Sequence, residues 1–223
     1  YISGSITDSH FVFGSGSYID NSTGFIPEAF VYGKDSRIKG GASLNNERTN
    51  PFICMGYSNE VQVRSSGYAN DIFGGFANTI SSLYMANTII GGRNNSITGN
   101  SNNIILGGSQ NTIPSEYGVV IGGLRNTHTG GAYGGVLGGN DNNQSGQDSW
   151  IIGGEINQVP ASQGFVGGGR NARLLAGSRS SIISGFDNLI NGGVDGNGIF
   201  VGGGNRIDNG TYVSIIGGNS HNI

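Results

Sequence analysis

Apolar residues in this chain come in short pairs, each closed by glycine and followed by a polar stretch, and no helical period is visible anywhere. Aligning on a glycine preceded by two apolar residues gives one register throughout. Its anchors are Gly14, Gly33, Gly56, Gly75, Gly92, Gly108, Gly123, Gly139, Gly154, Gly168, Gly185, Gly203 and Gly218. Two positions before them stand Val12, Val31, Cys54, Phe73, Ile90, Leu106, Ile121, Leu137, Ile152, Val166, Ile183, Val201 and Ile216. Three positions after most anchors comes Asn (Asn59, Asn78, Asn95, Asn111, Asn126, Asn142, Asn157, Asn171, Asn188). Five after comes a mostly apolar residue, as in Ile80, Ile97, Ile113, Val159 and Ile190. The unit reads apolar-apolar-Gly-Gly-x-x-Asn-x-apolar, then a variable polar return; its register recurs thirteen times, with Phe13, Tyr32 and Met55 in place of the first Gly in the first three units.

These columns have a physical meaning. A β-branched pair such as Ile151-Ile152 favours an extended strand. The Gly-Gly beside it permits positive φ and a sharp change of direction. Asn tolerates the left-handed region, and its amide can bond nearby backbone or the equivalent Asn of the next coil. Each unit is therefore strand, sharp corner, short strand and loose return. One unit cannot bury its apolar side, but stacking at about 4.8 Å per coil buries a continuous column. The predicted fold is all-β, a parallel β-solenoid (β-roll or β-helix) of about thirteen short coils, a rod on the order of 60 Å long.

A coil this short is expected to enclose two or three inward side chains. Cores this thin commonly recruit oligomerisation. Successive strand residues point to opposite faces. The reading assigns Ile90, Ile121, Ile152 and Ile216 to the interior. Ile89, Val120, Ile151, Ile182 and Ile215 are then expected to face outward as an apolar stripe, which marks a homo-oligomer interface.

Anchor spacing runs 19, 23, 19, 17, 16, 15, 16, 15, 14, 17, 18 and 15 residues. Residues 1–69 form an irregular section of longer coils, rich in aromatics (Tyr1, Phe11, Phe13, Tyr18, Phe25, Phe30, Tyr32, Phe52, Tyr57). Residues 70–223 form a regular section of short coils. Pro27, Pro51, Pro114 and Pro160 fall in the returns, where a missing N–H costs little. A hexapeptide left-handed helix needs a threefold sub-repeat that is missing. The calcium-binding nonapeptide pattern is approached only once, at Gly138-Gly139-Asn140-Asp141.

Composition narrows the function classes. Of 223 residues 44 are Gly without an every-third period, which excludes collagen. Only 11% are charged, which is unlike ordinary disorder. The net charge is −3 and the basic residues are scattered, so nucleic acid is not an expected partner. No apolar run approaches the roughly 20 residues that span a bilayer, so membrane insertion is not expected. No secretion signal is read at Tyr1, and the chain is expected to be a segment of something longer. One cysteine, Cys54, forms no internal disulfide framework.

Two stretches carry a resemblance: Ser180-Ser181-Ile182-Ile183-Ser184-Gly185-Phe186-Asp187-Asn188 and Thr88-Ile89-Ile90-Gly91-Gly92-Arg93-Asn94-Asn95. They resemble the head repeats of YadA-type trimeric adhesins and, more closely, the Gly-Gly-x-x-Asn repeats of phage tail fibres. The YadA-type repeat is slightly shorter and has one corner Gly where this chain has two. The resemblance covers residues 70–223 well and 1–69 loosely. It implies a homotrimer with chains side by side along the axis, and a role in attachment to a cell surface or matrix.

Candidate chemistry is sparse. His128 and His221 fall in the apolar and Asn columns and His10 stands apart, so neither a metal site nor a catalytic histidine is expected. Asp35, Asp141 and Asp187 share the second corner position with Glu155 beside it. They lie in distant coils, too far for the carboxylate pair of a glycosidase within one chain. Lys34, Arg93, Arg125 and Arg170 read as solvated corner residues. Tyr117, Tyr133, Trp150 and Tyr212 stand in or beside the returns, where exposed aromatics would suit sugars. Trp150 is expected to pack between chains. Thr holds no column, so an ice-binding face is not read, and the sequons at Asn21, Asn94, Asn143 and Asn209 are those expected in an Asn-rich chain.

The expectation is a non-catalytic structural or adhesive fibre segment of a virus or phage host-attachment organelle, on the virion or cell surface. It has no cofactor and no catalytic or metal residues. Its partners are its own copies and a cell-surface glycan or protein receptor. The alternatives are a bacterial trimeric adhesin head and a polysaccharide-cleaving tailspike with carboxylates between subunits.

Overall fold

The computed structural model describes residues 2–3, 10–14, 16, 18–20, 29–34, 37–39, 52–63, 70–82, 86–192 and 195–223. Of the residues singled out above, Tyr1, Asn21, Phe25, Pro27, Asp35 and Pro51 lie outside these. So do the side chains of His10, Lys34, Cys54 and the other aromatics before Tyr57.

Every Gly-Gly corner joins two short strands that belong to different sheets. The strand before the corner, such as Thr88–Ile90, joins sheet one, and the strand after it, such as Ser96–Ile97, joins sheet two. Each strand pairs in parallel with the equivalent strand of the neighbouring coil. Ile89 stands opposite Ile72 and Ile105, and Ile97 opposite Ile80 and Ile113. The chain is a parallel β-solenoid, with no helix among the described residues. It divides into two compact units, Tyr1–Glu116 and Tyr117–Ile223. Among the described residues, the first unit contributes six strands to sheet one and seven to sheet two, and the second unit seven and six.

The core consists of two apolar columns between two polar ones. Three before the corner glycine, Ile72, Ile89, Ile105, Val120, Val136, Ile151, Ile182 and Ile199 are fully buried. Five after it, Val61, Ile80, Ile97, Ile113, Val159, Ile190 and Ile207 face them. Each such side chain contributes about 1.5–3 kcal/mol by leaving water. This reverses the facing expected above. Ile90, Ile121, Ile152 and Ile216 are the outward residues, with 41–76% exposure, and Ile89, Val120, Ile151, Ile182 and Ile215 fill the interior. Alternation separates the two columns but does not say which is inside. Asp71, Thr88, Ser181 and Ser214, two places before the outward column, share its face and draw it to solvent.

Two further corrections concern register. The anchor glycines in two coils are Gly169 and Gly202 rather than Gly168 and Gly203. Val166 pairs with Ile151 and Ile182, and Ile199 with Ile182 and Ile215. Spacing from Gly154 to Gly218 then becomes 15, 16, 17 and 16, more even than the sequence reading. Ala172, not Asn171, takes the Asn place in the first of these coils, and Asn205 takes it in the second.

That Asn column is not in the left-handed region. The residue one place earlier is, with Asn94 at φ 54, Asp141 at 56 and even β-branched Ile156 at 57. The column Asn is instead buried and forms a ladder, the second half of the expectation. The Asn142 N–H donates to Asn126 Oδ1 at 3.1 Å, and the Asn157 N–H to Asn142 Oδ1 at 3.0 Å. The Asn142 amide donates to the Gly138 and Gly154 carbonyls at 3.2 and 3.0 Å. The amide thus adds a second donor to a corner carbonyl that already accepts a backbone N–H, as Gly154 does from Asn140, and the pattern repeats coil by coil. The tightness of this arrangement explains the glycines: at Gly154, φ is 86 and a Cβ would run into the backbone of Gly169 and the Asn157 amide.

Among the described residues of the returns, a second corner lies six residues before each revised anchor from Gly92 onward. Ala86, Asn102, Tyr117, Tyr133, Asp148, Gln163, Arg179, Gly196 and Tyr212 there all have φ between 52 and 82. The next residue points inward: Asn70, Asn87 and Asn103 form a second buried ladder with Nδ2 to Oδ1 distances of 2.9 Å. In the second unit Ser149, Ser180 and Asn197 take this place. A regular coil thus encloses four side chains where this place holds Asn or Ser and three where it holds Gly118, Gly134 or Gly164, against the two or three expected.

Candidate functional site

The outward face of sheet one carries a row of large apolar side chains, one per coil. In the first unit these are Phe73, Ile90 and Leu106, at 37–47% exposure. In the second they are Ile121, Ile152, Ile183, Phe200 and Ile216, with Leu137 half-buried among them. The row is interrupted at Gly167, where Phe165, two places earlier on the same face, is exposed instead. Trp150 leans over Gly135 of the previous coil on this face, its Cζ3 2.9 Å from where a Cβ of Gly135 would stand. Trp150 thus touches its own chain on one side and is half-buried.

Sheet two presents a different outward face, made of Thr79, Ser96 and Thr112 in one unit and Thr127, Asn143, Gln158 and Arg173 in the other. The hydroxyl row is short and gives way to amides and Arg. One sheet face is thus apolar and the other polar, although both strands are short and similar in length.

The Gly-Gly corner carries stacked side chains. The rings of Tyr57 and Phe76 stack at 5.4 Å with 8° between planes, and the Arg93 guanidinium lies over Phe76 at 5.5 Å. Arg125 makes a bidentate pair with Asp141 at 2.5 and 2.7 Å, which holds the Asp141 carboxyl below its usual range. Asp187 accepts from the Asn171 amide at 2.8 Å. Asp141 and Asp187 therefore act as rungs between neighbouring coils, and they are not brought together. Among the described residues no group of three or more His, Cys, Asp and Glu side chains could hold a metal ion.

The second corner, missed in the sequence, holds the exposed tyrosines. Tyr117 and Tyr133 stack at 5.0 Å, Arg179 pairs with Asp195, and Tyr212 is 75% exposed. Its spacing of six residues from the revised anchors is uniform, but no constant residue type marks it in the sequence.

His128 is wholly buried in the apolar column of the second unit, beside Gln144 of the next coil. His221 takes the Asn place, its N–H donating to Asn205 Oδ1 at 3.1 Å. Burial holds the His128 imidazole below its ordinary value of 6.5. The folded state then binds fewer protons than the unfolded one, so stability is complete above about pH 6.5 and falls as pH drops toward the depressed folded value. His128→Ile is expected to remove this loss, at most about 1.4 kcal/mol per pH unit in that window. Denaturation midpoints of both proteins at pH 7.5 and 5.5 check it; parallel shifts would contradict it.

Comparison with known proteins finds no matching family model, curated protein or solved structure.

Proposed function

We propose that this chain, taken as thirteen short coils, is a non-catalytic segment of a trimeric attachment fibre of a virus or phage, exposed on the particle or cell surface. The observation that carries the reading is the outward apolar row of sheet one, with Ile121, Ile152, Ile183 and Ile216 all at least 40% exposed. A row of isoleucine and phenylalanine repeating once per coil matches a surface with the same repeat, and another copy of this chain supplies one. The resemblance of the repeats to fibre proteins supports threefold assembly, with the apolar rows toward the axis. The polar face of sheet two and the corners then face outward, which suits a shaft in water.

Ile121→Lys with Ile152→Lys is the test. Both side chains are outward, so the fold tolerates the change, while each buried copy contributes about 2 kcal/mol to an assembled interface. The double variant is expected to sediment as a monomer that keeps the unmodified chain's circular dichroism. Thr127→Lys with Gln158→Lys on sheet two leaves assembly unchanged. Equal masses for the unmodified chain and the Ile double variant would contradict the reading.

A further inference from the structure

We infer that the second corner of residues 117–223 is a binding edge for a linear polysaccharide, with Tyr133 and Tyr212 as its stacking platforms and Asp148, Gln163 and Arg179 as hydroxyl partners. The inference rests on the attachment reading above and names its ligand class.

The tyrosines stand at a corner whose backbone does not call for an aromatic ring. Tyr117, Tyr133 and Tyr212 sit at φ 54, 64 and 55, a region in which a bulky side chain strains the backbone and Gly or Asn does not. The same place in other coils holds Ala86, Asn102, Asp148, Gln163, Arg179 or Gly196, none of them aromatic. Nor do they serve the core: Tyr133 is 61% and Tyr212 75% exposed. Tyr212 lies against the bare backbone of Gly196, its Cδ1 and Cε1 2.6 and 2.8 Å from where a Cβ would stand, and the rest of its ring is in water. A large apolar ring with a hydroxyl tip, kept exposed at a strained position, suits stacking on the C–H face of a pyranose.

Between the two tyrosines the coils present a carboxylate, an amide and a guanidinium in order, at Asp148, Gln163 and Arg179. Successive coils rise by about 4.8 Å, so these groups offer one acceptor or donor set per step to a chain of sugar hydroxyls. Arg179 uses part of its fork on Asp195, and Asp195 is itself partly exposed. A peptide strand is a poorer fit, because the corner backbone is occupied. The Asp148, Gln163 and Tyr212 N–H groups already donate to Ala132, Gln147 and Asp195 carbonyls. A nucleic acid is a poorer fit still, since the edge holds one Arg in a chain of net charge −3.

The test uses the whole chain on an array of linear β-glucan and bacterial O-polysaccharide fragments, from disaccharide to octasaccharide, together with Tyr133→Asn, Tyr212→Asn and a Phe186→Ser control at the other corner. Some linear fragment is expected to bind, with affinity rising with length up to about six sugars, the reach of the coils from Tyr133 to Tyr212. Each Tyr→Asn change is expected to weaken binding roughly tenfold. Asn suits the left-handed region, so melting temperature stays the same or rises. The control leaves binding unchanged. The inference is overturned if no fragment binds, if binding ignores the tyrosines, or if Tyr212→Asn lowers the melting temperature as a structural residue would. The mass of the same samples separates the two readings. A chain that assembles and binds no glycan loses only the binding edge, and a monomer that binds glycan loses only the fibre.

Discussion

Alanine at Gly169 is expected to cost about 4 kcal/mol, while alanine at the adjacent Gly168 costs nothing measurable. The two glycines are neighbours in sequence and opposite in situation. Gly169 has φ 98, and its added Cβ would strike the Gly185 carbonyl and come within 3.0 Å of the Gly185 nitrogen. Both are backbone atoms of the next coil, held in place by the parallel ladders, so neither can yield without opening the stack. At Gly168 a Cβ meets nothing within 4 Å, and φ is outside the left-handed region. Gly168→Ala is therefore neutral or stabilising by up to about 1 kcal/mol through the unfolded chain. Chemical denaturation of both variants checks the pair. Equal losses would mean that the corner is misplaced by one residue.

The second large effect lies in the Asn ladder. Asn142→Ala removes the amide that donates to the Gly138 and Gly154 carbonyls and to Asn126, and the acceptor of the Asn157 N–H. The bonds to Asn126 and Asn157 are buried, where water does not replace the lost partner, and those to the corner carbonyls are partly buried. The Gly138 carbonyl and the Asn157 N–H lose their partner, whereas Gly154 keeps the Asn140 N–H and Asn126 the backbone N–H of residue 142, so the expected loss is about 2 kcal/mol. Asn142→Asp keeps the acceptor but aims a charge at two carbonyls, and is expected to lose more at neutral pH. The reciprocal change is available in the same column. Ala172 stands in the Asn place at 1% exposure, and Ala172→Asn is expected to gain about 1 kcal/mol by restoring the rung. If Asn142→Ala melts with the unmodified chain, the ladder is ornamental.

Much of this architecture is legible in the sequence because the repeat is short and its demands are local. The Gly-Gly corner, the Asn three places on and the apolar residue five places on each answer to one steric or hydrogen-bonding need, so they recur in columns. What the sequence left open has physical causes as well. Alternation along Ile89-Ile90 separates two faces without orienting them; the polar Asp71 and Thr88 do that, and they were the signal to use. Runs of three glycines at Gly167-Gly168-Gly169 and Gly202-Gly203-Gly204 leave the corner ambiguous by one residue. Only the buried partners Val166 and Ile199 fix it. The second corner stayed hidden for the same reason: its spacing of six is uniform only from the revised anchors. It also tolerates Ala, Asn, Asp, Gln, Arg and Tyr, so no residue type marks it. The candidate surfaces follow this pattern. The outward row was expected in kind and assigned to the wrong column, whereas the tyrosine edge depended on a corner the sequence had not revealed.

The inward residues build the coil, and the outward ones are free to meet partners. Ile121, Ile152, Ile183 and Ile216 are the residues through which we propose that the apolar face of sheet one joins copies of this chain. Sedimentation equilibrium of the unmodified 223-residue chain tests it most directly. A species of three times 23.0 kDa is expected, and a single species of 23.0 kDa would contradict the trimer.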